Sequence, residues 1–172
     1  MISLEDILFE YEIPHWKFRK PQVLKTVEDN KSMLIEVPGR TKISDTNFYT
    51  SKNFPYDNNM ESVIAEFLQF FNRTKGYTGQ WHGHCWHQVY KRGDWHGWHT
   101  HPHTNMSSVI NIQCQEGQGT VFKVGEVEYQ YPSREGTIIS FPSSLLHCTL
   151  PHESDEPRII ASFNWDNMGL GE

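Results

Sequence analysis

Cysteine is scarce in this sequence and shows no pairing pattern. Its three cysteines, Cys85, Cys114 and Cys148, are odd in number and lack CxxC spacing. That argues against a disulfide framework and for a reducing compartment. No stretch approaches the ~20 consecutive apolar residues that cross a bilayer. The opening Met-Ile-Ser-Leu-Glu-Asp has no basic segment ahead of an apolar run, so no secretory leader is expected. Positive charge is not in excess either: the formal net charge is −6, which disfavours non-specific attraction to nucleic acid or anionic membrane. There is no internal repeat and no low-complexity tract. These absences lead to the expectation of a soluble cytoplasmic protein with neither a membrane nor a nucleic acid as partner.

What is present is aromatic weight and a change of pattern part-way along. At 172 residues, with six Trp, ten Phe and seven Tyr, the chain suits a single domain, 1–172, with a full hydrophobic core. Alternation over Ile7 to Ile13 predicts a strand stopped by Pro14, and Pro21 to Asn30 predicts a short helix. The run from Glu36 to Asn58, rich in turn-forming residues, reads as loop with a role in contacting substrate. Val63, Ile64, Phe67, Leu68 and Phe71 fall at helical spacing within Met60 to Phe71. After Gly76 the pattern is of short strands: Trp81 to Tyr90, Ser107 to Cys114, Thr120 to Lys123, Val127 to Tyr131, Thr137 to Phe141, Leu146 to Leu150 and Arg158 to Trp165. Val124-Gly125-Glu126 reads as a hairpin turn. Helices followed by a series of strands predict an α+β, mainly β chain: a strand, helix and loop support over 1–76, and an antiparallel sandwich or jelly roll over 77–166.

The densest chemistry is in Gly93 to His103, which holds four of the ten histidines, His96, His99, His101 and His103. On an extended strand His99 and His101 share one face, and a pair of neutral imidazoles on one face begins a divalent-metal site. One strand offers only one side of a coordination sphere, so a distant ligand is needed. His147, after a strand and amid apolar residues, is the best candidate. The competing reading is a core histidine bonded to a backbone carbonyl. His82, His84 and Trp86 share a face of their strand, with His87 opposite, and read as pocket lining or as a second metal site. His96 reads as exposed or substrate-facing, and His103 as a pocket or surface group. Cys148 falls on the opposite face from His147, a small core residue rather than a nucleophile.

Two resemblances bear on this cluster. Gly93, His99 and His101, followed by Gly136, Pro142 and His147, resemble the two half-motifs of the cupin superfamily, which implies a double-stranded β-helix with the three histidines at one mouth. Ser144 replaces a usual glycine, and Asn105 and Met106 stand where a later glutamate would fall. The second resemblance covers about Trp86 to Asn164. Tyr-Lys-Arg-Gly-Asp-Trp-His-Gly-Trp-His-Thr-His-Pro and Glu-Gly-Thr-Ile-Ile-Ser-Phe-Pro-Ser-Ser-Leu-Leu-His-Cys-Thr-Leu-Pro are similar to a family of 2-oxoglutarate/Fe(II)-dependent oxygenases of bacteria and phages.

That resemblance implies Fe(II) held by His99, His101 and His147, with 2-oxoglutarate as cosubstrate and O2 as oxidant. It also implies release of succinate and CO2, and hydroxylation of a small-molecule or peptide substrate. It places a basic residue near the start of the last strand to clamp the distal carboxylate of the oxo acid. Arg158 stands there, and a guanidinium fork matches a carboxylate and never deprotonates. Ser162 shares its face. Gln88 and Asn111, polar residues on apolar strands, are candidates to meet the oxo acid or to form cross-strand hydrogen bonds. One departure matters: His101 stands where the usual triad has Asp or Glu, with Asp94 the nearest carboxylate in sequence. A three-histidine cupin dioxygenase that uses no 2-oxoglutarate, and a metal- or ligand-binding cupin without catalysis, are the alternatives.

Overall fold

The computed structural model describes residues 4–51, 58–76, 80–115 and 117–168, with only the backbone for Glu5, for residues 80–83 and for residues 167–168. The second half is a series of strands, as its pattern predicts. The strands are β4 (Gln80–Tyr90), β5 (Trp95–His99), β6 (Met106–Gln113), β7 (Thr120–Val124), β8 (Val127–Gln130), β9 (Thr137–Pro142), β10 (Leu146–Thr149) and β11 (Arg158–Met168). Ahead of them come α1 (Leu4–Ile7), β1 (Phe9–Glu12), α2 (Trp16–Asp29), β2 (Met33–Val37), β3 (Thr41–Thr46) and α3 (Asn58–Lys75). All pairings are antiparallel, and the sheet runs β1-β9-β6-β11-β4-β3-β5-β10-β7-β8, with β2 added on β3. The curled sheet is the jelly roll expected, with the long strands β4, β6, β9 and β11 on one side and the short β5, β7, β8 and β10 on the other. Val124 pairs with Val127 around Gly125, as the turn residues predicted.

The N-terminal part departs from expectation in two places. The stretch read as loop from Glu36 contains a hairpin, β2 to β3. Its turn is Val37-Pro38-Gly39-Arg40, closed by Arg40 N–H to Val37 O at 2.9 Å, with Gly39 at φ 70°. Proline second and a positive-φ glycine third are what a type II turn requires. Residues 52–57 of that stretch lie outside the described residues. Helix α2 also begins five residues earlier than predicted and takes Pro21 into its interior. One lost backbone bond is offset by the burial of Val23 and Val27.

Alternation divides two apolar layers. Ile110, Ile138, Ala161, Phe163 and Trp165 face outward from the curl and pack with Phe67 and Phe71 of α3. Val109, Ile139, Ile160, Phe122 and Phe141 face into it. The helices thus cover the back of the long strands and leave the mouth of the curl free. Among the described residues no helix is long and apolar enough to cross a membrane.

Candidate metal centre

His99 and His147 are direct partners in the β5–β10 ladder. Each pins its ring in the same way. His99 Nδ1 lies 2.7 Å from Gly97 O, and His147 Nδ1 lies 2.8 Å from Leu145 O. A carbonyl can only accept, so each Nδ1 carries the proton and each Nε2 keeps a lone pair. His147 therefore satisfies both readings offered by its sequence: it bonds a backbone carbonyl and still presents a free nitrogen.

His101 is placed differently from the prediction. It lies two residues beyond the end of β5 rather than on the strand, and its N–H bonds Ser143 O at 2.9 Å. The excursion turns its ring so that Nε2 faces His147 Nε2 at 3.2 Å. Ligand atoms of His99, His101 and His147 all lie within 4.8 Å of one another, the only such group among the described residues. Two imidazoles on one metal at ~2.0–2.1 Å and at right angles hold their nitrogens ~3 Å apart. The observed separation fits that geometry.

Burial keeps these rings neutral, the form that binds metal. Desolvation, then repulsion from His99, lowers the pKa of His147 to about 2 and that of His101 to about 4. His99 is lowered by the same burial, opposed by its bond to Gly97. Phe141 lies edge-on to the His147 ring at 4.8 Å between centroids, and Trp86 sits 5.9 Å from His101.

Asp94 supplies no carboxylate to the group. It is buried, and its Oδ2 accepts from the backbone N–H of Ser44 at 3.0 Å and of Lys91 at 2.8 Å. The donor set is three imidazoles. His96 stacks on His99 at 3.9 Å and 17°, lining the same cleft, and burial lowers its pKa to about 3. His103 is exposed at φ 75°. His84 meets Ser51 O at 2.9 Å, and His87 is buried against Asp45 Oδ2 at 2.6 Å. These two are engaged separately, and the side chain of His82 lies outside the described residues. Cys148 is buried with its thiol pushed up to about 11 by desolvation.

Arg158 lies deeper in the curl. It is 1% exposed and has no carboxylate partner among the described residues. Its contacts are Thr149 Oγ1 at 3.3 Å, Thr120 Oγ1 at a long 3.5 Å and the Tyr90 ring at 5.7 Å, while Nε is buried without a partner. The neighbouring acid in sequence, Asp155, is bound instead by Arg92 at 2.7 Å. Thr149 pairs with Thr120 across β10 and β7, one step along the ladder face from His147. The cavity bounded by the three histidines also reaches Thr120, Thr149, Tyr90, Gln88 and Ser162. Ser162 donates to Gln88 Oε1 at 3.2 Å. Asn111 lies outside that lining and donates to Thr137 Oγ1 at 3.1 Å. Thr120 and Thr149 were not singled out from the sequence, although Thr149 shares the face of His147 by simple alternation.

Fold and site together define a double-stranded β-helix with a three-imidazole cluster at its mouth and a lone buried guanidinium beyond it. No family model and no curated protein matches the sequence. Solved structures do. The chain superposes on the viral collagen prolyl hydroxylase of Paramecium bursaria Chlorella virus-1, in its 2-oxoglutarate complex, with a TM-score of 0.68 and 14% identity, over 92% of this chain and 95% of that one. A prolyl-4-hydroxylase of Pseudomonas putida gives 0.68 and 13%, over 94% and 93%. HygX from Streptomyces hygroscopicus, with nickel, 2-oxoglutarate and hygromycin B bound, gives 0.63 and 9%, over 94% and 83%. The chain has the fold of the 2-oxoglutarate/Fe(II) oxygenases.

Proposed function

We propose that this chain is a 2-oxoglutarate- and O2-dependent Fe(II) oxygenase of the hydroxylase type. The observation that carries the reading is the buried Arg158, which has no anionic partner among the described residues and contacts Thr149 and Thr120, two threonines that line the cavity starting at the three histidines. A cation withdrawn from water without a counter-ion costs several kcal/mol. An anionic ligand removes that cost, and a dicarboxylic oxo acid suits a cavity with a metal site at one end and, at the other, the two threonine hydroxyls that contact the guanidinium. The fold shared with HygX, which binds nickel and 2-oxoglutarate, supports the same assignment.

His99, His101 and His147 would hold the iron from one side, leaving positions open for the oxo acid and O2. Bound iron, with 2-oxoglutarate and O2, supplies the oxidising chemistry and releases succinate and CO2. The residues of the chain orient and exclude. Arg158, with the hydroxyls of Thr149 and Thr120, receives the distal carboxylate. Phe122, Phe141 and Ile160 keep the surroundings dry, which strengthens each polar contact there. Gln88 and Ser162 hold one another on the cavity wall, where they would face a bound oxo acid. Three neutral ligands leave the metal's charge undiminished, and the carboxylates of the oxo acid offset it. A three-histidine dioxygenase that dispenses with the oxo acid would leave Arg158 uncompensated.

Anaerobic addition of Fe(II) and 2-oxoglutarate to the purified protein tests the reading. A weak visible charge-transfer band is expected on forming the chelate. Iron binding without that band at saturating oxo acid overturns the assignment.

A further inference from the structure

A second cleft, about 330 Å³, opens beside the metal centre between the β2–β3 hairpin and the ends of β4 and β5. The edges of His96, His99 and His101 form one wall. Ile35 and Val37 of β2, Ile43 of β3, and Phe48 and Trp86 form the others. No Asp, Glu, Lys or Arg lines it among the described residues. A charged group entering would lose its hydration and find no counter-ion, so the part of the substrate held there is uncharged. The volume is at the small end for ligand sites, which fits one side chain rather than a large free metabolite.

The rim continues outward as exposed apolar surface. Met33, Leu34 and Val37 on β2 are 38%, 56% and 42% exposed, and Tyr49 is 68% exposed. Strand β2 pairs only with β3, so among the described residues its other edge is open. Open, apolar strand edges recruit further strands and are normally blunted by charge, proline or cover. Here Glu36 is the only charged residue between Met33 and Val37. The backbone groups on that edge offer an extended peptide main-chain partners, and side-chain alternation then delivers every second residue to the face shared by Ile35 and Val37.

We infer that the substrate is a protein segment that docks in extended form on the open edge of β2 and presents an uncharged, bulky side chain to the three-histidine centre. This rests on the oxygenase reading for its chemistry, but the docking is measurable without turnover.

The probes are blocked nonapeptides with a Ser/Thr background and a varied central residue, titrated into the anaerobic Fe(II)–2-oxoglutarate protein. Central Leu, Phe or Pro should bind at least tenfold tighter than central Asp or Lys. N-methylation of alternate backbone amides should weaken the best peptide at least tenfold on one register and little on the other. Tyr49→Ala and Val37→Ser, at exposed positions, should each weaken the best peptide while leaving the oxo-acid band intact. Equal binding of charged and apolar centres, indifference to N-methylation in both registers, or no binding at millimolar peptide beside a normal band overturns the proposal. Peptide binding with these preferences but no band supports the docking edge and overturns the oxygenase reading instead.

Discussion

His99 and His147 face one another across a single step of the β5–β10 ladder, and each donates its Nδ1–H to the carbonyl two residues before it. The arrangement sets both tautomers from the backbone alone, so two of the three ligand nitrogens are aimed without help from any other side chain. The partner that usually orients a metal-binding imidazole is here a carbonyl of the ligand's own backbone, two residues back. His99→Ala or His147→Ala should therefore lower iron affinity by more than the ~10–100-fold typical of losing a supporting hydrogen bond. Equilibrium dialysis against Fe(II) or Ni(II) checks this.

His101→Asp should keep one metal per chain, because it restores the two-histidine, one-carboxylate donor set, whereas His101→Ala should not. Asp94→Asn should leave metal stoichiometry unchanged, since Asp94 holds Ser44 and Lys91 rather than metal. It should cost about 1–3 kcal/mol of stability, as loss of a buried charge-assisted hydrogen bond does. Urea unfolding beside a metal assay separates the two effects.

Arg158→Ala should weaken 2-oxoglutarate binding about 10- to 100-fold, from loss of charge-assisted bonds of ~1.5–3 kcal/mol, while iron affinity stays close to wild type. Arg158→Lys should recover only part of the loss, because an ammonium cannot form the fork. Titration of the chelate band gives both constants.

The metal-free protein should lose stability as pH falls from 7 toward 5. The pKa of His101 is lowered to about 4 and that of His147 to about 2 in the fold, against an unfolded value near ~6.5. Between those limits the unfolded chain binds more protons than the native one, so stability rises with pH there. Above the unfolded value the effect vanishes. Bound metal also holds the native rings neutral, so Ni(II) should raise the melting temperature while the same pH slope persists or steepens, which thermal melts at stepped pH with and without Ni(II) will show.

Gly97→Ala should destabilise the hairpin junction. A Cβ there would stand 2.6 Å from Arg40 O, the carbonyl that accepts the Gly97 N–H. Backbone must shift, and with it the Gly97 carbonyl that orients His99. A stability loss of about 1–3 kcal/mol together with weaker metal binding is expected, read by unfolding and by dialysis.

Much of this was legible in the chain. The strands of the second half show as short apolar runs set off by turn residues. The resemblance of Gly93, His99 and His101, and of Gly136, Pro142 and His147, to the cupin half-motifs implied that the three histidines meet at one mouth of a β-helix. The β2–β3 hairpin went unread because its strands are short, β2 is largely exposed and β3 is mostly polar, leaving little hydrophobic period to detect, although Pro38-Gly39 was a sufficient turn signal. Arg158 stood out only through resemblance. Its apolar neighbours Ile159, Ile160, Ala161 and Phe163 spoke against a surface cation balancing Asp155 and Glu156, but did not by themselves mark a carboxylate clamp.

The sequence by itself determined which strand residues alternate inward, His99 and His147 among them. Tertiary structure decided the rest. It drew His101 off the strand by a bond to Ser143, gave Asp94 to the backbone, and left Arg158 buried without an acid among the described residues while Arg92 took Asp155. The reason is physical: alternation specifies a face, but partners across a curled sheet are set by register and closure, which bring together residues that no local pattern relates.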